Sequence, residues 1–506
     1  MTQDHALSFG DGSGQLLLTG LQPGPLLAVL IILPLAGLVP LLLFGPRAGE
    51  RASVALSGLG LMLAIIVALQ VYWSGTPAIY NLGGWRPPLG IALRADGVSS
   101  VMLVMSAAVF CAICLFAATG RDRNSPFPPT YWMLSLCVAS GLNLAFLAQD
   151  LFTLYVALEL LTFAAVPLVC LDGKPAQLQA ALTYLLFALL GSLLYLLGAV
   201  LIYGITGTLD IALAADRLAA GTSATGIALA LMSAGLAAKA ALFPLYLWLP
   251  PAHAGAPPAA SALLSSLVIK APIFLLLRVW LGLAPADLAG QAAPVLACLG
   301  AGAILFCGMR ALAQSRLKLL IAYSTAAQIG YVFLMLPLVK SSGPLSIPEA
   351  LAWTGGFLHL AAHAFSKAAM FIAAGVIAEA LGHDRISALG GVAQAVPLSV
   401  AAFAIGGLSL MGLPPSGGFI AKVMLLTAAI KQGIPWIAVV VLLGGLLAGG
   451  YVLRVVVSAL QRAEPGTSVA TIPLRRQSMA LVLAIAAILL GFIPLEPMGF
   501  LLVGRP

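Results

Sequence analysis

Charge is scarce in this sequence. Asp, Glu, Lys and Arg make up only 8% of the 506 residues, where a soluble domain carries about 25%. That deficit excludes a water-soluble globular class. Cysteine is also sparse, at 111, 114, 137, 170, 298 and 307. Cys111 and Cys114 form one C-x-x-C, but no second pair stands at metal-binding spacing, so neither a metal site nor a disulfide framework is implied. Phosphate-binding loop, dinucleotide fingerprint and iron–sulfur cysteine cluster are all missing, so no cofactor is expected and no catalytic redox or ATP chemistry is assigned to this chain. Strand-like alternation is absent along the chain as a whole, which argues against a β-barrel.

What is present is oil. Hydrophobic residues make up 61% of the chain, and apolar runs of about 18 residues or more, enough to cross a bilayer's hydrocarbon core, follow one another from residue 25 almost to the end. The expectation is an all-α polytopic membrane protein. Cutting at polar, proline-rich and glycine-rich joints places spans at 25–44, 52–73, 97–118, 131–148, 151–171, 178–205, 226–249, 259–283, 293–309, 317–338, 350–381, 398–430, 434–459 and 477–503, about fourteen in all. A polar tail, 1–24, precedes them. The first run lacks a basic flank and a small-residue cleavage pattern, so it reads as a retained helix.

The net charge of +8 comes from basic residues scattered singly between spans, which does not suit nucleic acid. Loops after odd-numbered spans hold Arg47, Arg51, Arg121, Arg123, Lys174, Arg310, Arg316, Lys318, Arg385, Arg462, Arg475 and Arg476, while the other side holds Arg86, Arg94, Arg217, Lys340, Lys431 and Arg505. By the positive-inside rule the first side is cytoplasmic and both termini lie outside. The expected location is an energy-converting membrane, the bacterial inner membrane.

Two spans are interrupted. Pro244 breaks the seventh, in GLAAKAALFPLYLWLPPAHAGAPP, and the stretch Gly412 to Gly418 splits the twelfth, in AIGGLSLMGLPPSGGFIAKVMLL. Broken backbone at membrane depth is tolerated only where protein or a wet cavity satisfies it. An odd number of spans lies between the breaks, so the two helices run in opposite directions, as inverted repeats require. The expected division is helices 1–3 at 25–118, a first five-helix repeat at 131–283, a second, inverted one at 293–459, and a last helix and C-terminus at 477–506.

Ionisable groups inside the spans need a partner or a task, since each costs roughly 2.5–3.5 kcal/mol to insert at the bilayer centre. Glu159 is the one acid clearly near a span centre; Lys239 precedes the first break, Lys270 lies midway along the eighth span and Lys422 follows the second break. Structural pairing or snorkelling is the plain reading for Arg278, Lys367 and Lys431, which lie nearer span ends. One glutamate cannot neutralise three central lysines. Burial favours the neutral amine and a nearby carboxylate the ammonium, so Glu159 is placed to switch Lys239. In GFLHLAAHAFSKAAMF, His359, His363 and Lys367 recur every four residues on one helix face, and an imidazole that takes a proton on one nitrogen and releases it from the other suits a relay. As core histidines they would simply bond to neighbouring helices.

The motifs LELLTF, KAALFPLYLWLPPAH, SALLSSLVIKAPIFLLLR, RLKLLIAYSTAAQIGYVFL, HAFSKAAMFIAAGVI, GHDRISALGG and GLPPSGGFIAKVMLL resemble, in order and spacing across residues 95–460, the antiporter-like subunits of respiratory complex I. They are similar also to the large subunits of Mrp-type multisubunit cation/proton antiporters and of membrane-bound hydrogenases. The resemblance implies a fourteen-helix subunit with two inverted five-helix repeats that moves protons, with Na+ as a candidate exchanged ion, within a complex of other membrane subunits, homologous antiporter-like ones included. It assigns that work to Glu159, Lys239, Lys270, His359, His363 and Lys422. KAALFPLYLWLP and LPPSGGFIAK look most like the Mrp D-type subunit, HAFSKAAMF more like the hydrogenase and complex I members. Lys422 departs from the complex I branch that has glutamate there; Ser366 replaces an aromatic residue, and PAHAGAPP lacks the aspartate many relatives have near His253.

Two other readings stay open from residues alone. A non-conducting scaffold has no use for costly buried lysines; a stand-alone secondary transporter of a small solute would work without partner subunits.

Overall fold

The computed structural model describes residues 23–120, 127–218, 221–340, 343–462, 469–494 and 496–505. Nearly all of the polar tail, and Arg121 and Arg123, lie outside the described residues. Among the described residues twelve helices are long and apolar enough to cross a membrane: α1 (Gly24–Phe44), α2 (Pro46–Ser74), α3 (Gly97–Ala117), α4 (Pro129–Leu147), α5 (Leu151–Val169), α6 (Pro175–Thr206), α8 (Pro258–Leu283), α9 (Ala286–Leu312), α10 (Leu317–Leu338), α11 (Ile347–Leu381), α13 (Pro435–Leu460) and α14 (Leu474–Phe492). Two more come in halves. α7 is Ser223–Lys239 followed, after a non-helical stretch, by Leu249–Gly255, and α12 is Pro397–Met411 followed by Gly417–Lys431. The chain is a polytopic all-α membrane protein, with both expected breaks present.

The helix starts follow from local chemistry. Asp96 accepts from the Ser99 N–H at 2.9 Å, Asp150 from Thr153 at 2.8 Å, and Ser416 from Phe419 at 3.1 Å, each a side-chain oxygen satisfying a donor the first helical turn leaves free. Ser346 and Glu349 close a capping box on α11. Proline stands in the first turn of α4, α6, α8 and α13, where its missing N–H costs nothing. Inside α1, Pro34 cannot donate to the Leu30 carbonyl; that oxygen instead accepts from Asn143 Nδ2 at 2.7 Å, and Ser140 Oγ donates to the Ile31 carbonyl at 2.8 Å. The irregularity that weakens α1 thus ties it to α4.

Several boundaries differ from the expected ones. α9 begins at Ala286, not near 293, because Asp287 sits in its first turn as a helix-favouring acid. α14 ends at Phe492, short of 503; two prolines follow, at 494 and 497, and the chain continues in 3₁₀ turns. A two-stranded antiparallel hairpin, β1 (Ala78–Asn81) with β2 (Ala92–Ala95) and Ala78 opposite Ala95, lies between α2 and α3. The C-terminal turns are fastened by the Gly97 N–H donating to Val503 O at 3.0 Å and by Trp353 Nε1 donating to Leu501 O at 2.8 Å.

Burial is concentrated in α8, α10 and α11. α8 is enclosed throughout its most apolar stretch, whereas α2 is mostly exposed at its surface, as expected when one helix is surrounded by protein and the other faces lipid. Where α6 crosses α7, Gly191 faces Gly235, and a Cβ on Gly191 would lie 2.7 Å from the Gly235 carbonyl oxygen. Small residues let the two backbones touch. The same gap passes the side chain of Lys239 toward α5.

Candidate functional site

The first cluster sits where α5, α6 and the end of the first half of α7 meet. Lys239 Nζ donates to Thr162 Oγ1 at 2.7 Å and lies 3.4 Å from Glu159 Oε1 and from the Leu158 carbonyl; Ser192 Oγ also donates to Glu159. Ala241, two residues on, has φ +53°, a left-handed conformation costing an L-residue roughly 1–2 kcal/mol. The strain coincides with the point where α7 stops being helical, and the first half of the seventh span therefore ends at the lysine itself.

The second cluster lies on α8 and α11. Lys270 Nζ is 2.6 Å from His363 Nδ1 and 3.3 Å from the Ser265 carbonyl, in a π-helical stretch Leu264–Val268. Widening of the helix at that point is a local device common at functional positions. A cavity of about 20 Å³, room for about one water, lies beside Lys239 and Thr162 and is closed by Val268 and Pro272 of α8. His359 stands one turn before His363, with ring centroids 6.2 Å apart, and its Nε2 lies 3.0 Å from the Gln328 carbonyl, which accepts. His359 Nδ1 and His363 Nε2 have no partner among the described residues.

The third cluster is at the break in α12. Pro414 and Pro415 have no N–H to give the carbonyls of Leu410 and Met411, one turn earlier. Lys422 Nζ takes the place of those donors, donating to Leu410 O at 2.6 Å and to Met411 O at 3.4 Å. Its ammonium also lies 4.3 Å from the centre of the Tyr331 ring, which in turn lies 5.0 Å from His359. A cation held by two carbonyls and an aromatic face has neutral company only.

The six expected residues thus fall into a sequence from Glu159 and Lys239 through Lys270, His363 and His359 to Lys422. All three lysines are buried, with Lys270 fully enclosed. Arg278 pairs at 2.5 Å with the buried Asp96, as its plain structural reading requires. Lys367 leaves the histidine stripe: fully buried, it donates to Ser324 Oγ at 2.5 Å and to Ile321 O at 3.2 Å.

Reasoning from residues missed several partners. Ser324, Gln328 and Tyr331 form a polar stripe at spacing four and three on α10, within AYSTAAQIGY, a periodicity that marks one helix face. Thr162 carries no such signal, since a lone threonine in an apolar helix commonly bonds to its own backbone, as Thr162 Oγ1 also does to Leu158 O at 2.8 Å. His253, completely buried between Trp248 and Phe371, has neither nitrogen partnered among the described residues.

The family described as "NADH:quinone oxidoreductase/Mrp antiporter, TM" matches residues 148–448, which contain all three clusters. The chain belongs to that family. It is 33% identical over 449 residues to the N-type subunit of the NADH-quinone oxidoreductase of Desulforudis audaxviator, covering 87% of each chain. The D-type subunit of the Na(+)/H(+) antiporter of Alkalihalophilus pseudofirmus is 32% identical over 393 residues, 76% of each. Among solved structures, a chain of the Mrp complex from Dietzia sp. superposes with TM-score 0.83 at 26% identity, covering 94% of this chain and 97% of that one. A chain of the membrane-bound sulfane sulfur reductase, an archaeal respiratory membrane complex, gives 0.85 at 28% identity with 95% and 96% covered. The chain is accordingly an antiporter-like membrane subunit of a multisubunit energy-converting complex. The quinone oxidoreductase and antiporter relatives stand at nearly equal identity, matching the mixed wording of its motifs.

Proposed function

We propose that this subunit carries protons across its membrane along Glu159, Lys239, Lys270, His363, His359 and Lys422. The supporting observation is the Lys270–His363–His359–Tyr331–Lys422 succession, in which Lys270 Nζ reaches His363 Nδ1 at 2.6 Å, the next ring centres stand 6.2 and 5.0 Å apart, and Lys422 Nζ lies 4.3 Å from the last. When Lys239 holds a proton, Glu159 stabilises the ammonium; drawing Glu159 away favours release toward Lys270. His363 takes the proton on Nδ1 and gives one up from Nε2 toward His359. Lys422, bound to carbonyls freed by two prolines, is the last buried holder before the opposite side.

Two halves of the chain support a repeated design. Residues 233–242, SAGLAAKAAL, and 416–425, SGGFIAKVML, share the serine, a glycine, the alanine–lysine pair and the final leucine, which favours repeats at 131–283 and 293–459. Glu159 lies on the same α5 face as Phe152, Val156 and Phe163, which are 51%, 42% and 63% exposed. Glu159 itself is only 15% exposed, but the bare apolar side chains around it on that face suit the seat of a neighbouring membrane subunit, a homologous antiporter-like one fitting best. The arginine-rich ends are assigned to the cytoplasm of a bacterial cell and both termini to the outside.

The test is proton translocation by the assembled complex in inverted vesicles. Lys239→Ala and Lys422→Ala, with assembly verified, each abolish most of it. Unchanged translocation in either variant refutes the path and leaves the scaffold reading.

A further inference from the structure

On the arginine-rich side, a groove of about 610 Å³ opens where the last turns of α13 meet the connections α9–α10 and α11–α12. Ser387, Gly450, Leu453, Arg454, Val457 and Gln461 are among the residues lining it. At Gly450 a Cβ would stand 3.3 Å from Leu312 Cδ1, so α9 and α13 approach closely there. One turn on, the exposed Arg454 donates from one guanidinium nitrogen to Leu312 O at 2.6 Å, which leaves most of its five donors free for a ligand. Among the described residues no carboxylate lines the groove, and Arg454 is its one charged lining residue.

Below the groove the surface changes character. Val439, Leu442 and Leu446 are 54%, 57% and 73% exposed and continue the α13 face of Gly450 and Leu453 toward mid-membrane at helical spacing. An open, shallow head lined by an arginine, serine hydroxyl and glutamine amide, above an exposed apolar track, has the chemistry of an acidic phospholipid: phosphodiester in the groove, acyl chain along the track. The volume lies within the range of about 300–1,000 Å³ typical of small-ligand sites. We propose that this groove is a binding site for one acidic phospholipid. A free phosphate would satisfy the arginine but leave the track bare, and a partner helix would cover the track but leave the arginine without an anion. The site shares no residue with the proton path.

The test uses the intact multisubunit complex, purified in detergent and supplied with phosphatidylglycerol or phosphatidylcholine, with retained lipid measured by native mass spectrometry. The wild type retains phosphatidylglycerol over phosphatidylcholine, and Arg454→Gln lowers that retention about fivefold, one arginine's share of attraction to an acidic lipid. Arg454→Lys keeps most of it. Leu453→Trp, which fills the groove while keeping the charge, lowers it as Arg454→Gln does and guards against a folding artefact. Equal retention in Arg454→Gln and wild type overturns the proposal, and so does full displacement by millimolar inorganic phosphate. A disulfide between Leu446→Cys and another subunit in native membranes also overturns it, since the track then belongs to a protein neighbour.

Discussion

Lys270 Nζ and His363 Nδ1, both on buried side chains, stand 2.6 Å apart where α8 packs on α11. Only one hydrogen fits between them, so when the lysine is an ammonium it donates, and the imidazole carries its own hydrogen on Nε2. Two residues that share one proton act as a unit. Lys270→Ala and His363→Ala each lower proton translocation by about tenfold or more, and the double variant is no worse than the poorer single one, because the shared step is already lost. The measurement is vesicle acidification at equal complex content; losses that multiply would separate the two residues.

The parts of this site legible in the sequence were those with a strong energetic signature. A lysine amid leucines is expensive, so Lys239, Lys270 and Lys422 announced themselves, and prolines within apolar spans announced the breaks. The partners were harder. Thr162 lies 77 residues from Lys239, and Leu410 O is free to bind Lys422 because the first half of α12 ends at Met411. The ion pair of Asp96 with Arg278 joins α3 to α8, a proximity that no helical periodicity encodes. Hydropathy likewise overlooked the hairpin β1–β2, whose strands have four residues each, too few for alternation to stand out.

Gly412 holds Lys422 in place by having no side chain. Its φ is +81°, and a Cβ there would lie 2.7 Å from Lys422 Cδ. Gly412→Ala therefore meets both a backbone penalty of roughly 1–2 kcal/mol and displacement of the ammonium from Leu410 O. The expected result is a complex that assembles but translocates protons as poorly as Lys422→Ala. Wild-type rates in Gly412→Ala would mean that the lysine's position in this structure is immaterial.

Ala241 tests whether the unwinding of α7 matters beyond its proline. At φ +53° glycine is relaxed, while a β-branched residue is strongly disfavoured. Ala241→Gly is expected to retain assembly and translocation, and Ala241→Val to lose translocation, with a melting temperature lowered by several degrees from roughly 1–3 kcal/mol of added strain. Equal melting of the two variants would place residue 241 in an ordinary backbone conformation.

Asp210 offers a pH test away from the transport path. It lies in the connection after α6 and caps the short helix Ile211–Arg217 by accepting from the Leu213 N–H at 2.9 Å. Burial holds its carboxyl above the ordinary value of 3.8, with Asp150 adding to the effect and the cap amides and Arg94 opposing it. A raised value means that the folded chain binds this proton more tightly than the unfolded one does. Its contribution is therefore favourable at low pH, and stability falls as the pH rises through the window from the ordinary value to the raised one, leaving a fixed deficit at neutrality. Asparagine caps a helix as well as aspartate does and carries no charge to desolvate. Asp210→Asn should accordingly melt above the wild type at pH 7, with the difference shrinking as the solution is acidified and translocation unaffected. A variant that melts lower at pH 7 would show that Arg94 makes the Asp210 carboxylate a net stabilising charge.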